Sequence, residues 1–189
     1  MVEANSTMLP LGTEMPPFKL PDFDGRIVSS SDYDDAPATL VMFICNHCPY
    51  VRHVRPALAR LAGEYCNLGV AVIAINSNDV AAYPQDGPDG MRDEAKQAGY
   101  LFPYLFDESQ QVAKSYRAAC TPDFYVFDAD CRLAYRGQLD DTRPGSGREP
   151  NGQDLRRALD DVLAGRPVTV QQYASAGCSI KWRPGKEPR

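Results

Sequence analysis

The stretch that decides the fold is Leu40–Val51, which reads LVMFICNHCPYV. Its first five residues, 40–44, are apolar and uncharged, as is typical of one buried β-strand. Two cysteines follow at C-x-x-C spacing, Cys45 and Cys48, and Pro49 comes directly after the second. Apolar residues then recur every three or four positions, which predicts an amphipathic helix. The sequence therefore places both cysteines where a buried strand becomes a helix, with the proline in the first helical turn.

This location suits a reactive thiol. A helix N-terminus has unpaired backbone N–H groups and a positive partial charge, so it stabilises a thiolate and commonly lowers a cysteine pKa from about 8.5 to about 3.5–7.5. We expect Cys45 to be the more exposed sulfur and to attack, and Cys48, one turn further in, to resolve the mixed disulfide. Asn46 and His47 lie between them. A cationic His47 would add to thiolate stabilisation, whereas a neutral one would simply be an exposed polar residue.

A C-x-x-C pair also occurs in zinc sites, but a structural zinc needs four ligands. The chain has no second C-x-x-C, and its only histidines are His47 and His53. A copper site built from Cys45, Cys48 and one histidine stays open, because soft thiolates suit Cu(I). The strand–helix junction favours a redox-active disulfide that needs no metal or other cofactor over metal binding or an inert pair.

Composition narrows the class of protein further. The chain has 189 residues, 43% of them hydrophobic, with a net charge of −5 and six cysteines. This length indicates one main domain, and the absence of a basic stripe argues against nucleic acid as a partner. No apolar run approaches the roughly 20 residues of a membrane span. Residues 1–12 lack the pattern of a secretory signal, and the cysteines do not read as a disulfide scaffold, so we expect a cytoplasmic location.

The chain divides into three parts. We expect a flexible lead over residues 1–15, a domain over residues 16–167, and a tail over residues 168–189 that packs in part on the domain. The predicted elements are an N-terminal hairpin around Asp24-Gly25, strands over 39–44, 70–76, 104–106, 124–127 and 132–136, and helices over 49–66, 89–99, 109–117 and 155–163. The first strand–helix–strand unit has the length of a parallel, right-handed crossover. Loop 77–90 begins at the carboxyl end of a parallel strand, where open α/β sheets place their sites.

This order of elements, with C-x-x-C at the first junction, resembles the thioredoxin fold, an α/β fold with a central mixed sheet flanked by helices. Thr121-Pro122 before a strand resembles the cis-proline loop of that fold, which faces the dithiol. The segment PFKLPDFDGR at residues 17–26 resembles the start of the branch that contains alkyl hydroperoxide reductases, thiol-specific antioxidants and cytochrome-maturation reductases. So does the insertion between strands 70–76 and 104–106.

A closer resemblance is to a thioredoxin-like subfamily with three separated motifs. These are Cys-Asn-His-Cys-Pro-Tyr-Val from residue 45, Tyr-Arg-Gly-x-Leu-Asp-Asp from residue 135 and Gly-Cys-Ser-Ile-Lys-Trp from residue 177. The likeness covers roughly residues 16–183. It implies thiol redox chemistry at Cys45 and Cys48, with the active site shaped by Asn46, His47, Pro49, Thr121 and Pro122.

The departures from that family bear on mechanism. Typical thioredoxins have a buried aspartate on the strand before the dithiol, and residues 39–44 contain none. Asp79 is a candidate for proton transfer at Cys48, although it also reads as an ordinary turn-forming aspartate. Peroxiredoxins carry Thr or Ser three residues before the peroxidatic cysteine. In this chain the residue three positions before Cys45 is Met42, and the residue three positions before Cys48 is Cys45. Neither is Thr or Ser, which weakens the peroxidase hypothesis.

Four other cysteines lie outside the motif. Cys120 precedes the Thr-Pro pair and is either a third redox thiol or a small packing residue. Cys178 stands in a tail that we expect to be irregular and rather exposed; it could pair with Cys120 or reach the dithiol as a regulatory or resolving thiol. Cys66 and Cys131 read as packing residues.

The sequence therefore predicts a thiol-disulfide oxidoreductase that acts on a disulfide-containing protein, a small thiol or a peroxide. It does not name the electron donor. The second hypothesis is a peroxiredoxin-like thiol peroxidase, and the non-enzymatic one is a copper or zinc carrier through Cys45, Cys48 and a histidine.

Overall fold

A computed structural model describes residues 2–169 and 171–188. Ten strands run in the order β1 (Glu3–Asn5), β2 (Lys19–Pro21), β3 (Ile27–Ser29), β4 (Ala38–Phe43), β5 (Ala71–Asn76), β6 (Tyr104–Phe106), β7 (Cys120–Thr121), β8 (Asp123–Asp128), β9 (Leu133–Gly137) and β10 (Ala176–Ser179). The helices are α1 (Pro49–Cys66), α2 (Pro88–Ala98), α3 (Gln111–Ser115) and α4 (Gln153–Leu163). Short 3-10 turns lie at Ser30–Tyr33 and Pro84–Asp86.

The central sheet has five strands in the order β6-β5-β4-β8-β9. Strands β4, β5 and β6 are parallel, because α1 and the α2 segment carry the chain back across the sheet, and β8 and β9 form antiparallel pairs with their neighbours. Strands β2 and β3 form the predicted N-terminal hairpin. These features confirm the predicted α/β, thioredoxin-like fold, including the insertion between β5 and β6.

Strand β4 is buried on both faces, as its uninterrupted apolar sequence predicts. Successive side chains alternate across the sheet, so Leu40 and Met42 face one core and Val41 and Phe43 face the other. Helices α1, α2 and α4 contribute to the first core, whereas α3 and the hairpin contribute to the second. The first core continues at the end of β4 into Ile44 and the cysteine pair, so the strand delivers the cysteines into the interior.

Strand β1 near the start of the chain and strand β10 near its end form, together with β7, a second sheet in the order β1-β10-β7. The expected flexible lead is therefore wrong at Glu3–Asn5, which pairs with β10 in antiparallel register. The expectation of an irregular, exposed segment around Cys178 is also wrong, because this residue lies in β10 and is only 3% exposed. Local apolar patterning did not reveal either strand because each is short and gains its partners from the far end of the chain.

Met1, Val170 and Arg189, which belong to the predicted lead and tail, lie outside the described residues. No helix in the described part of the chain combines the length and the apolar character needed to cross a membrane.

Candidate functional site

The cysteine pair lies at the carboxyl end of β4. Strand β4 ends at Phe43, and α1 begins at Pro49, with Cys48 as its extended N-cap residue. Proline suits this first helical position because its missing N–H would have no intrahelical partner there. The sulfur of Cys48 accepts a hydrogen bond from the backbone N–H of Val51, in the first turn of the helix. The helix N-terminus therefore acts directly on the second cysteine of the motif, not the first.

Both sulfurs are buried. Cys45 is 1% exposed and Cys48 is 0% exposed. We expected Cys45 to be the more exposed sulfur, but neither residue is exposed, because the continuous apolar core runs past the end of β4 and includes both side chains. Neither cysteine is disulfide-bonded.

The two thiols have opposite electrostatic surroundings. A hydrogen bond from Cys45 lowers the pKa of Cys48 to about 5, with burial opposing it and with Cys178 and the N–H of Val51 adding to the effect. The hydrogen bond with Cys48 raises the pKa of Cys45 well above its ordinary value, and burial and the charge of Asp86 raise it further. The arrangement favours a Cys48 thiolate that accepts a hydrogen bond from a neutral Cys45 thiol.

The loop between β7 and β8 faces this pair. The Thr121–Pro122 peptide bond is cis. The hydroxyl of Thr121 is 3.3 Å from the sulfur of Cys45, and its carbonyl oxygen is 3.2 Å from the sulfur of Cys48. That carbonyl accepts a hydrogen bond from Cys48 only while Cys48 holds its proton. It therefore opposes the contacts with Cys45, Cys178 and Val51, which favour the thiolate. The sequence-predicted Thr-Pro pair and the dithiol thus come together.

A buried carboxylate that the sequence analysis missed lies beside the motif. Asp86 is 0% exposed and accepts hydrogen bonds from the backbone N–H of Asn46 at 2.9 Å, from Nδ1 of His47 at 2.6 Å and from Nδ2 of Asn78 at 2.8 Å. Burial by itself would raise the pKa of Asp86, but these donors outweigh burial and hold it below its ordinary value. The site therefore has a buried anion next to Cys45.

Loop 77–90 was the predicted location of site residues, but its sequence offers several carboxylates without distinguishing them. Asp79, the one singled out, makes turn-type hydrogen bonds: its carboxylate accepts the N–H of Ala81, and its own N–H donates to the carbonyl of Lys181. Its nearest cation is Arg183, at 3.9 Å. The structure thus places Asp86, rather than Asp79, against the motif.

Asn46 and His47 are held by the core and by the insertion. The amide of Asn46 donates to the carbonyl of Gln85 at 2.8 Å and accepts a hydrogen bond from the buried Tyr104 hydroxyl at 2.9 Å. The ring of His47 stacks on Tyr83, with centroids 5.2 Å apart. Its side chain is 13% exposed, so it is not the exposed polar residue that the sequence allowed, and its Nε2 has no hydrogen-bond partner within residues 2–169 and 171–188.

Three of these residues could hold a metal ion. Cys45, His47 and Asp86 each offer one ligand atom, and these atoms lie within 4.8 Å of one another. This set differs from the expected one of Cys45, Cys48 and a histidine. The other histidine, His53, lies one turn after the start of α1, and its Nε2 is 3.0 Å from the hydroxyl of Thr142.

The remaining cysteines differ in their contacts. Cys178 hydrogen-bonds to Cys48 through its side chain. Cys120 is fully buried and lies 3.8 Å from the carbonyl oxygens of Pro122 and Ser175, and burial strongly raises its pKa. Cys66 and Cys131 are partly exposed and belong to other parts of the molecule.

A second buried carboxylate follows the cis proline. Asp123 is 0% exposed, and its side-chain donors are hydroxyl groups, those of Ser6 at 2.5 Å and Tyr125 at 2.9 Å. Burial raises the pKa of Asp123 to about 7, because the hydrogen bonds from these donors offset only part of the effect of burial. Ser6 in turn accepts the backbone N–H of Ser175 at 3.0 Å, so Asp123 links the two chain ends.

A small cleft of about 20 Å³ has Pro122 in its wall. Its other lining includes Tyr50 and His53 from α1 and Ala176 from β10. The hydroxyl of Tyr50 donates to Glu3 at 2.5 Å, which ties the first turn of α1 to β1 at the edge of this cleft. The cleft beside the cis proline therefore has room for about one water molecule.

The chain is similar to a known family and to solved structures. A family model described as the AhpC/TSA family matches residues 11–136. An uncharacterized conserved protein from Geobacillus kaustophilus is 53% identical, with a TM-score of 0.95 and 98% of each chain covered. A hypothetical protein from Sinorhizobium meliloti is 50% identical, with a TM-score of 0.94, covering 96% of this chain and 99% of that one. No curated protein matches.

More distant structures show the fold. The thioredoxin domain of a thiol-disulfide oxidoreductase from Bacteroides vulgatus is 15% identical, with a TM-score of 0.63, covering 80% of this chain and 99% of that chain. A thiol:disulfide interchange protein of the thioredoxin family from Chlorobium tepidum is 18% identical, with a TM-score of 0.62, covering 80% of this chain and 97% of that chain.

Proposed function

The chain belongs to the AhpC/TSA family, and we propose that it is a thiol-disulfide oxidoreductase in which Cys45 and Cys48 alternate between a dithiol and a disulfide. The observation that carries the proposal is that both sulfurs lie against one residue, Thr121, whose hydroxyl is 3.3 Å from Cys45 and whose carbonyl oxygen is 3.2 Å from Cys48. The pKa values of the two thiols are shifted in opposite directions. One sulfur is poised as a thiolate and the other as a thiol, which is the pairing that disulfide exchange needs. The facing Thr121–Pro122 loop supports it.

The sequence prediction gave the attack to Cys45 because that residue was expected to be exposed. Burial of both sulfurs removes that ground, and the helix N-terminus and the lowered pKa favour Cys48. We therefore assign the attack to Cys48 and the resolving role to Cys45. The thiolate of Cys48 attacks a partner disulfide, forms a mixed disulfide and releases one partner thiolate. Cys45 then loses its proton and attacks Cys48, which closes the internal disulfide and releases the second partner thiolate.

Asp86 is a positioning residue in this scheme. Its carboxylate fixes the backbone N–H of Asn46 and the ring of His47, and its charge raises the pKa of Cys45. The raised pKa keeps Cys45 protonated while Cys48 is the thiolate. Once Cys48 is consumed in a mixed disulfide, one of the causes that raise the pKa of Cys45 is removed, and Cys45 becomes a better nucleophile.

Burial bears on the partner. A disulfide can meet Cys48 only when the residues around the sulfurs move apart, so access is a step of the reaction. A disulfide-containing protein or a small disulfide is the proposed partner class. The electron donor, the cytoplasmic location and the absence of a cofactor stay predictions.

The test is reduction of insulin disulfides with dithiothreitol as donor. Because the scheme needs both sulfurs, Cys45→Ser and Cys48→Ser should each lower the rate by about a hundredfold or more. Cys66→Ser, at the far end of α1, is the matched control and should keep the wild-type rate. Iodoacetamide labelling separates the roles: in Cys45→Ser, Cys48 should remain the thiol that reacts below pH 7. A wild-type rate for Cys48→Ser would refute the proposal.

A thiol peroxidase is the second candidate, because the family and the lowered pKa of Cys48 both suit attack on a peroxide. Here the Cys48 thiolate attacks the terminal oxygen of a peroxide, the O–O bond breaks, an alkoxide or hydroxide leaves, and Cys48 becomes a sulfenic acid. The Cys45 thiol then condenses with the sulfenic acid, which forms the Cys45–Cys48 disulfide and releases water. Stopped-flow consumption of hydrogen peroxide distinguishes the candidates. Consumption no faster than that of free cysteine argues against the peroxidase.

A metal carrier is the non-enzymatic candidate, and the grouping of Cys45, His47 and Asp86 is the observation that favours it. Titration of the reduced protein with Zn²⁺ and with Cu(I) should then give one bound ion per chain, lost in Asp86→Asn. No saturable binding by the wild-type protein excludes this role.

A further inference from the structure

We propose that Cys178 is a third redox-active thiol of this site, which attacks the Cys45–Cys48 disulfide to form a Cys48–Cys178 disulfide. The proposal rests on the proposed function, since it needs Cys45 and Cys48 to form a disulfide first. It adds a residue that lies more than a hundred positions further along the chain. The exchange makes Cys48 the shared sulfur of two alternative internal disulfides.

The second sheet brings Cys178 to this position. Strand β10 runs antiparallel to β7, with Cys178 opposite Thr121, the residue before the cis proline. Gly177 allows the close approach, because a Cβ at that position would lie 2.1 Å from the carbonyl oxygen of Thr121. Strand β1 pairs with the other edge of β10, with Glu3 opposite Cys178. The residue is therefore fixed from both sides and is not part of a loose tail.

The side chain of Cys178 is directed at the dithiol. It hydrogen-bonds to Cys48, and this bond lowers the pKa of Cys48. Burial, which is the larger cause, and this bond together raise the pKa of Cys178 to about 12. The shifts have the signs expected when the Cys178 thiol donates to a Cys48 thiolate. Cys120 has a different setting, with its sulfur on two backbone carbonyls. Of the four cysteines outside the motif, Cys178 is the one hydrogen-bonded to a sulfur of the pair.

The exchange step balances without an external reagent. The sulfur of Cys178 forms a bond to the sulfur of Cys48, the Cys45–Cys48 bond breaks, and Cys45 leaves as a thiolate. Cys178 is oxidised, Cys45 is reduced, and the proton lost by Cys178 is available to Cys45. The partner disulfide supplies the original oxidising equivalents.

The order of events follows from charge. While Cys48 is a thiolate, its charge and its hydrogen bond keep the proton on Cys178. Formation of the Cys45–Cys48 disulfide removes that charge, and Lys181 then favours ionisation of Cys178. Burial still raises the pKa of Cys178, but Cys178 becomes a better nucleophile once the Cys48 thiolate has been consumed in a disulfide, whether with Cys45 or with a partner.

Strand β10 also has a consequence for the partner. Strand β10 already pairs with Thr121, next to the cis proline, and we take this loop as the place where a partner's backbone would dock. The chain's own tail thus presents a cysteine to Cys48 as a partner would. A protein partner that uses this edge must displace β10, whereas a small disulfide need only pass beside it.

The experiment traps the disulfides by mass. The reduced full-length protein is treated with oxidised glutathione, quenched with acid, alkylated and mapped by peptide mass spectrometry. The wild type should give Cys45–Cys48 and Cys48–Cys178 links. In Cys45→Ser, a Cys48–glutathione adduct should convert into the Cys48–Cys178 disulfide. Because the third thiol is held in contact with Cys48, this adduct should decay about tenfold or more faster than the adduct in Cys45→Ser/Cys178→Ser. Cys45→Ser/Cys120→Ser is the matched control and should behave like Cys45→Ser.

The outcomes separate the two proposals. Two outcomes overturn the role of Cys178. One is an equal adduct lifetime in Cys45→Ser and Cys45→Ser/Cys178→Ser, and the other is a Cys48 that stays reduced in Cys45→Ser. In either case a Cys45–Cys48 link in the wild type leaves the proposed function intact. A wild-type protein that forms no Cys45–Cys48 link contradicts the proposed function itself. Circular dichroism of each variant checks folding, and Cys178→Ala replaces Cys178→Ser if the serine variant does not fold.

Discussion

Two flanks of the dithiol each contain a carboxylate that is completely buried, yet the two carboxylates differ in charge. On the insertion flank, formed by Asn76, Asn78 and Asp86, the acid accepts hydrogen bonds from a histidine, an amide and a backbone N–H, and its pKa is lowered. On the tail flank, formed by Ser6, Asp123 and Cys178, the acid accepts side-chain hydrogen bonds from two hydroxyls, and its pKa is raised to about 7. Equal burial thus gives opposite shifts, because the donors decide which form is stable.

The difference assigns work to each flank. The hydrogen bond with Cys48 and burial are the larger causes that raise the pKa of Cys45, and the insertion flank adds to them with a fixed negative charge on Asp86. The tail flank supplies the Cys178 thiol to Cys48, and this thiol helps to lower the pKa of Cys48. The asymmetry of the two cysteines therefore follows from the asymmetry of what surrounds them.

The largest expected effect comes from removing the insertion-flank acid. Asp86→Ala leaves three buried donors without their acceptor, which should lower the free energy of unfolding by about 3 to 5 kcal/mol. Urea denaturation followed by circular dichroism measures it. Asp89→Asn is the matched control in the same insertion, because Asp89 is exposed and pairs with Arg92 at the surface, and it should change stability by under about 0.5 kcal/mol. A loss for Asp86→Ala no larger than that of the control would contradict the account.

The next effect tests how the tail flank is held. In Gly177→Ala the new methyl group collides with the carbonyl of Thr121, so β10 must shift. We expect a loss of about 1 to 3 kcal/mol of stability together with a smaller yield of the Cys48–Cys178 disulfide. Gly63→Ala is the matched control in α1, where an added Cβ meets no atom within 4 Å. Equal yields and stabilities for the two variants would show that β10 does not lie against this loop.

The tail-flank acid should make stability depend on pH. The pKa of Asp123 is about 7 in the folded protein against an ordinary value of 3.8, so between about pH 4 and pH 7 the folded form keeps a proton that the unfolded form has lost. Stability therefore falls as pH rises through this window, and Asp123→Asn should remove about 1 to 3 kcal/mol of that fall. Urea midpoints across the window measure it, with Asp35→Asn in an exposed loop as control. Identical slopes for wild type and Asp123→Asn would exclude the assigned protonation.

The smallest effect is the contribution of Cys178 to the thiolate. The ultraviolet absorbance of the thiolate should rise as pH increases through about 5, the pKa of Cys48, and should vanish in Cys48→Ser. Cys178→Ala should move this midpoint upward because a donor to the thiolate is lost, while Cys66→Ala should leave it unchanged. A midpoint that stays in place in Cys178→Ala would show that Cys178 does not donate to Cys48.

Features encoded in neighbouring residues could be predicted from the sequence. The apolar run, the C-x-x-C pair and the helical spacing predicted β4, the junction and α1 nearly to the residue, because strand burial and helix amphipathicity depend on local pattern. The Thr121-Pro122 pair was found through its resemblance to a known loop. Loop 77–90 was identified as a place for site residues because it comes after a parallel strand.

The rest depended on contacts between distant segments. Asp86 could not be distinguished from the other acids of its loop, because its role comes from donors on the motif and elsewhere in the loop. The position of Cys178 arises from β1 and β10, two short strands that pair only with each other and with β7. The proposed roles of the two motif cysteines differ from the expected ones for a related reason, since Asp86 and Cys178, both distant in sequence, contribute to the pKa values of the pair.

The central claim is that Cys45 and Cys48 interconvert between dithiol and disulfide, and equilibration of the wild-type protein in glutathione redox buffers tests it most directly. Acid quenching, alkylation and mass spectrometry give the fraction of Cys45–Cys48 disulfide at each ratio of oxidised to reduced glutathione. The account predicts a single reversible transition that involves this pair and is lost in Cys45→Ser and in Cys48→Ser. Two thiols that stay reduced across the whole series, in a protein that remains folded, would contradict it.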